Sequence, residues 1–190
     1  MTGGVYDFVF RGLLTEEALD RAGRQPVHVA GLSEPELAQM LSLELLDPAA
    51  VGQATRVAVV YTAIAAFEAS ARQLIKTVLL EVTGQEWWTT VSERIRRKAE
   101  GRRADEQATK WHAQRGEDLL NYTDLADLGN IIQNNAEAFE PYVRSVEWAR
   151  AVFEVIERSR NVIMHSGVLD EEDIARVGIN IRDWVKQVGA

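Results

Sequence analysis

SVEWARAVFEVIERSRNVIMHSG, from Ser145 to Gly167, is the stretch on which the fold turns. Ala149, Phe153, Ile156, Arg160 and Ile163 follow one another in steps of four and three. That spacing lines up side chains on one stripe of an α-helix. Ser145 suits an N-cap, Glu147 lies in the first turn, and Gly167 suits the stop. The expected helix therefore runs from Ser145 to His165 or Ser166. Arg160 stands where a core residue belongs. Burying a guanidinium without a partner is costly. Either its stem carries it to solvent, or it pairs with an acid such as Glu68, or it lines a cleft. Asn161 and His165 are four apart and share a face. Arg160 and His165 are five apart, about 140° around a helix of 3.6 residues per turn. They converge only if the last turn loosens at Ser166-Gly167, or if a second copy of the chain supplies the opposite wall.

Helical signals extend upstream. Asp47-Pro48 opens a helix expected to reach Thr83, with Gly84 ending it. Its inner stripe is Val57, Tyr61, Ile64, Glu68, Ala71, Ile75, Val78 and Val82. Glu68 breaks the apolar rule there. Glu68 and Arg72 form an i,i+4 pair, which is either a surface ion pair or part of a bridge from Glu68 to Arg160. Ser33 caps a helix expected to reach about Leu46. Further helices are expected over Glu86–Ala99, from a cap at Thr123 or Asp124 to Phe139, and after Asp170. A loosely helical basic segment follows Ala99. The pattern predicts an all-α, antiparallel helical bundle. Residues 1–50 form an arm with short helices; VYDFVF and VHV within it are short strands or irregular. Residues 51–190 form the helical domain.

Composition narrows the chemistry. The 190 residues include 21 basic and 29 acidic side chains, a net −8, which argues against indiscriminate nucleic-acid binding. Arg94 to Arg115 holds eight basic and three acidic residues, a local +5 that leaves −13 elsewhere. Arg94, Arg96, Arg97, Lys98, Arg102 and Arg103 are therefore candidate RNA contacts, or else a solvated helix face. Trp87-Trp88 can stack on bases but more often serves a core. Asn130, Asn134 and Asn135 line a cleft or face water. Cysteine is absent, which removes thiolate chemistry and disulfides. His28, His112 and His165 lie far apart, so neither a metal nor a cofactor is expected. There is no phosphate-cradling glycine loop and no GxSxG elbow. The start lacks a signal-peptide layout, and the apolar run Val57–Phe67 is too short to span a bilayer. A cytoplasmic protein with no membrane partner is expected.

RSRNVIMHSG resembles the RNxxxH signature of the HEPN superfamily of helical ribonuclease and nucleotide-binding domains. YTAIAAFEASARQLI (Tyr61–Ile75) is similar to that family's first core helix, with its acid and a basic residue one turn later. EWW (Glu86–Trp88) and LLNYTDLADLGNIIQNNAEAFEPYV (Leu119–Val143) resemble one branch. That branch is named after a eukaryotic nuclear RNA-surveillance endonuclease and is widespread in prokaryotic defence and toxin loci. The similarity covers about residues 55–188.

The resemblance implies a homodimer whose RNxxxH helices face each other across a cleft. It also implies metal-independent RNA cleavage, with the catalytic set on Arg160, Asn161 and His165, supported by Glu68 and Arg72. Those residue types suit attack by the RNA 2′-OH. Histidine can accept or donate a proton near neutral pH, and arginine offers a charged planar fork for the phosphate. The expected role is a toxin or phage-defence effector, with an antitoxin or defence-system protein as a possible partner. The alternative is a non-catalytic module that binds RNA or a nucleotide, or a dimerising adaptor.

Overall fold

A computed structural model describes residues 33–188 of the chain. Those residues contain seven α-helices and no strand, so the all-α expectation holds. The arm's VYDFVF and VHV lie outside the described residues. The chain divides into two compact units, Met1–Val51 and Gly52–Ala190.

In the first unit, α1 (Glu34–Met40) begins with a reciprocal cap between Ser33 and Glu36, the Ser33 amide donating to Glu36 Oε2 at 2.7 Å. It stops short of Leu46. Ser42 takes a left-handed φ of 52°, and a 3₁₀ turn follows over Leu43–Leu45. No α1 residue is buried, so no packing extends the helix.

α2 (Pro48–Thr83) has the expected ends. The Ala50 amide donates to Asp47 Oδ1 at 2.8 Å, and Gly84 stops the helix at φ +65°. Its buried residues are Ile64, Phe67, Ala71, Ile75, Val78 and Leu79. Tyr61 and Val82, expected on the seam, are exposed. A strict four-three pattern drifts by about 20° per heptad on a straight helix. Over so long a helix, the two ends of the stripe rotate off the core. By length and composition α2 is also apolar enough to cross a membrane, but its Phe67 ring packs 5.5 Å from both Phe153 and Trp184 in the bundle's core.

The next helix starts later than expected. Gly84–Thr90 winds as a 3₁₀ turn, and α3 is Glu93–Ala108. The hydroxyls of Thr89 and Thr90 donate to the carbonyls of Glu86 and Trp87 three residues back, which favours the tighter turn. The basic segment that looked loosely helical is thus most of α3. After a loop and the 3₁₀ turn Leu119–Tyr122, Asp124 and Asp127 make a reciprocal cap for α4 (Leu125–Asn134). The expected single helix to Phe139 is broken. Asn135 Nδ2 donates to the Ile131 carbonyl at 2.9 Å, the acceptor its own backbone amide would use in a continuous helix. A short α5 (Ala136–Phe139) follows.

α6 (Val146–Met164) is capped by Ser145, and α7 (Glu171–Val188) by Asp170, whose Oδ1 accepts from the Asp173 amide at 2.8 Å. α6 packs against α4 and α7. Fully buried Trp184 sits at the centre, stacked 6.0 Å from Trp148 and edge-on to Phe67 and Phe153.

An ionic cluster fastens α3 to the start of α4. Lys98 reaches both Asp124 and Asp127, and Arg102 holds Asp124 at 2.7 Å. Burial pushes the Asp124 carboxyl up, but the hydrogen bonds from Arg102 and Lys98 outweigh it and hold the pKa at about 2. A depressed carboxylate stabilises the fold above its unfolded pKa and loses that contribution as pH falls through its folded value. Asp124→Asn keeps a good N-cap and removes the charge. It should cost about 1 kcal/mol at neutral pH, discounted because the carboxylate is partly exposed. Urea titrations should show this gap narrowing as pH falls from about 4 toward 2. A gap that does not change with pH would locate the effect in packing.

Candidate functional site

Regular helix places the RNxxxH residues. Ser145 Oγ accepts from the Trp148 amide at 3.0 Å and fixes the start of α6. Ala149, Phe153, Ile156 and Ile163 are buried as the spacing requires, and they carry Arg160 onto the same side. The Arg160 side chain retains 35% exposure, and its Nε is buried with no hydrogen-bond partner among the described residues. The nearest anion is Glu68: Nε lies 3.8 Å from Glu68 Oε2, an ionic contact beyond hydrogen-bond length. Of the sequence alternatives, the structure thus selects the approach to Glu68.

Glu68 does not neutralise Arg160 alone, because Arg72 shares it. Arg72 Nη2 donates to Glu68 Oε1. The same guanidinium donates to the Leu120 carbonyl at 2.9 Å and the Thr123 carbonyl at 3.2 Å. Arg72 is therefore a fork that joins α2 to the turn ahead of α4. The three side chains carry two positive charges and one negative, and the surplus falls on Arg160. The carbonyls of Leu120 and Thr123 carry no side-chain signal, so sequence reasoning missed their part.

The far end of the motif is exposed. Asn161 and His165 both face solvent and have no side-chain partner among the described residues. α6 stays helical through Met164, and His165 is its C-cap. The last turn does not loosen before His165, so Arg160 and His165 do not meet within one chain. The left-handed residue is Ser166, at φ 60°, rather than Gly167. The Ser166 amide donates to Ile163 and the Gly167 amide to Val162, at 3.0 and 2.8 Å, closing the helix end. Gly167 is needed for closeness: a Cβ there would lie 2.6 Å from Val162 Cγ1 and 2.8 Å from the Val162 carbonyl oxygen. Gly167→Ala should destabilise the chain by about 1–3 kcal/mol, read as a lower urea midpoint. An unchanged midpoint would show that this turn opens freely.

The candidate RNA contacts divide. Lys98 and Arg102 are held by Asp124 and Asp127, and Arg102 also donates to the Tyr122 carbonyl at 2.9 Å. Arg96 donates to the Val91 carbonyl at 3.0 Å, and Arg97 pairs with Glu93 along α3. Arg94 is exposed, 3.6 Å from Asp127. Arg103 has neither a hydrogen bond nor an ion pair among the described residues. Asn135 marks the helix break, while Asn134 faces solvent. His112 is exposed, and His28 lies outside the described residues. No group of side chains suited to a metal ion occurs among the described residues.

Residues 62–189, more than half of the chain, match the model of the family described as Swt1-like HEPN. No curated protein and no solved structure matches. The match covers the described helices from the middle of α2 to the end of α7, and by it the chain belongs to the Swt1-like HEPN family.

Proposed function

We propose that the chain is a metal-independent endoribonuclease that works as a homodimer in the cytoplasm, as a toxin or defence effector. The observation that carries this reading is the guanidinium of Arg160, which has no hydrogen-bonded acceptor among the described residues and is only partly offset by Glu68. A phosphate diester is the anion that fits such a fork. One imidazole takes the proton from the RNA 2′-OH as its oxygen bonds to phosphorus. The bond from phosphorus to the 5′-oxygen breaks, and that oxygen takes up a proton. The products are a 2′,3′-cyclic phosphate and a 5′-hydroxyl. Arg160 stabilises the charge on the phosphorane, and Asn161 orients the phosphate or the imidazole.

Two observations support a second copy in this scheme. Arg160 and His165 do not converge within one chain. Val162, Met164 and Val168, beside the motif, are apolar and exposed. The dimer brings two histidines to one cleft, one for each proton transfer. Arg94, Arg97 and Arg103 on α3 serve as outlying contacts to the RNA backbone.

The test incubates labelled single-stranded RNA with the full chain in EDTA, and light scattering gives the mass in solution. The expected outcome is a dimer that cuts RNA and leaves cyclic-phosphate ends. A folded dimer that leaves RNA intact would favour the module that binds RNA or a nucleotide without cleaving it.

A further inference from the structure

A cavity of about 380 Å³ opens between the C-terminal half of α2, the tight turn after it and α3. Its walls include Trp87, Trp88, Lys76, Arg103, Glu117 and Asp118. The two indoles meet edge to face, 5.4 Å apart at 74°. Trp88 is held in place by its Nε1, which donates to Glu100 at 3.2 Å. The aromatic wall is thus set before any guest arrives, which lowers the cost of binding.

The charges in the cavity are unequal in their freedom. Lys76 and Asp118 satisfy each other at 2.6 Å, and the other oxygen of Asp118 accepts from the Leu120 amide at 2.9 Å. Arg103 is half-buried and has no partner among the described residues. Glu117 is exposed at the rim and likewise unpaired. A guest that answers these groups has a flat π-face, an anion and a donor edge. Lys76 is answered by Asp118, so the charges left to a guest are Arg103 and Glu117. A nucleotide has all three features, and a purine covers more of the indole than a pyrimidine.

We infer that this cavity binds a purine nucleoside 5′-phosphate, free or as one residue of single-stranded RNA. The base stacks on one indole of the Trp87–Trp88 pair with its edge toward the other, the phosphate meets Arg103, and Glu117 accepts from the amino edge of the base. Lys76 stands eight residues beyond Glu68 on α2, about 12 Å along the helix axis. A short piece of one strand spans that distance, so the RNA form of the site rests on the proposed endonuclease. The free-nucleotide form does not.

The test titrates AMP into the full chain carrying His165→Ala, which keeps any RNA intact, and follows the indole N–H signals by NMR. Trp87 and Trp88 should shift while the core indoles of Trp148 and Trp184 stay still. Arg103→Glu, a change on the helix surface, should weaken binding by about tenfold or more. An oligoadenylate that binds about tenfold tighter than AMP assigns the site to RNA, and equal affinity assigns it to the free nucleotide. Unmoved Trp87 and Trp88 signals, or equal AMP affinity in Arg103→Glu, would overturn the inference. So would binding of N-acetylarginine amide in place of AMP. Loss of RNA cleavage in the wild-type chain with AMP binding intact would sink only the endonuclease.

Discussion

His165→Ala should lower RNA cleavage in EDTA by roughly 10²–10⁴-fold, the range that a positioned general acid or base contributes. The substitution is a clean one. The imidazole is exposed at the C-cap of α6 and has no side-chain partner among the described residues, so its removal leaves no buried group unsatisfied. The backbone bonds that close the helix come from the amides of His165, Ser166 and Gly167, and alanine keeps the first of them. The urea midpoint should therefore move by no more than about 0.5 kcal/mol, as for an exposed site. Rate loss without stability loss is the signature of a proton-transfer group. Full cleavage by the variant would remove His165 from the chemistry and with it the reason to pair two α6 helices. A loss of both rate and stability would point to a structural role at the helix end instead.

Much of this fold was legible because its helices announce their ends. Ser145, Asp47 and Asp170 cap where their positions before apolar stripes predict, and Asp124 takes the cap that the sequence left between it and Thr123. The misreadings arose where a side chain competes with the backbone. Asn135 takes the Ile131 carbonyl and splits one expected helix, while Thr89 and Thr90 tighten the turn that displaces the start of α3. Periodicity does not register such bonds. The seam of α2 was right in its middle and wrong at its ends, because an ideal stripe drifts on a long straight helix. At the site, Arg160 on the seam and Glu68 opposite were readable from spacing alone. The use of Arg72 was not, because its acceptors are the carbonyls of Leu120 and Thr123, more than forty residues away. Nor was the neutralising of Lys98 and Arg102, which depends on how α3 lies beside Asp124 and Asp127.

Arg160→Met separates stability from activity most sharply. The substitution removes a charge from a partly buried place and keeps most of the side-chain volume. Arg160 Nε is buried with no hydrogen-bond acceptor among the described residues, and its contact with Glu68 is 3.8 Å long. An unsatisfied buried donor costs about 1–3 kcal/mol, and a long ionic contact returns little of that. Glu68 keeps its hydrogen bond from Arg72 when Arg160 is gone, so no carboxylate is stranded. Arg160→Met should therefore leave stability unchanged or raise it by about 1 kcal/mol. Cleavage should fall by roughly 10²–10³-fold, the scale for loss of one donor aimed at a developing oxyanion. Arg160→Lys should recover only part of that rate, because a point charge keeps the attraction for phosphate but loses the fork. A guanidinium so loosely paired on the seam of α6 fits the proposed role of holding a phosphate. If Arg160→Met instead lowers stability by about 3 kcal/mol or more, the range for breaking a buried pair, Arg160 is a strut between α6 and α2. The proposed chemistry would then have lost its phosphate-binding group.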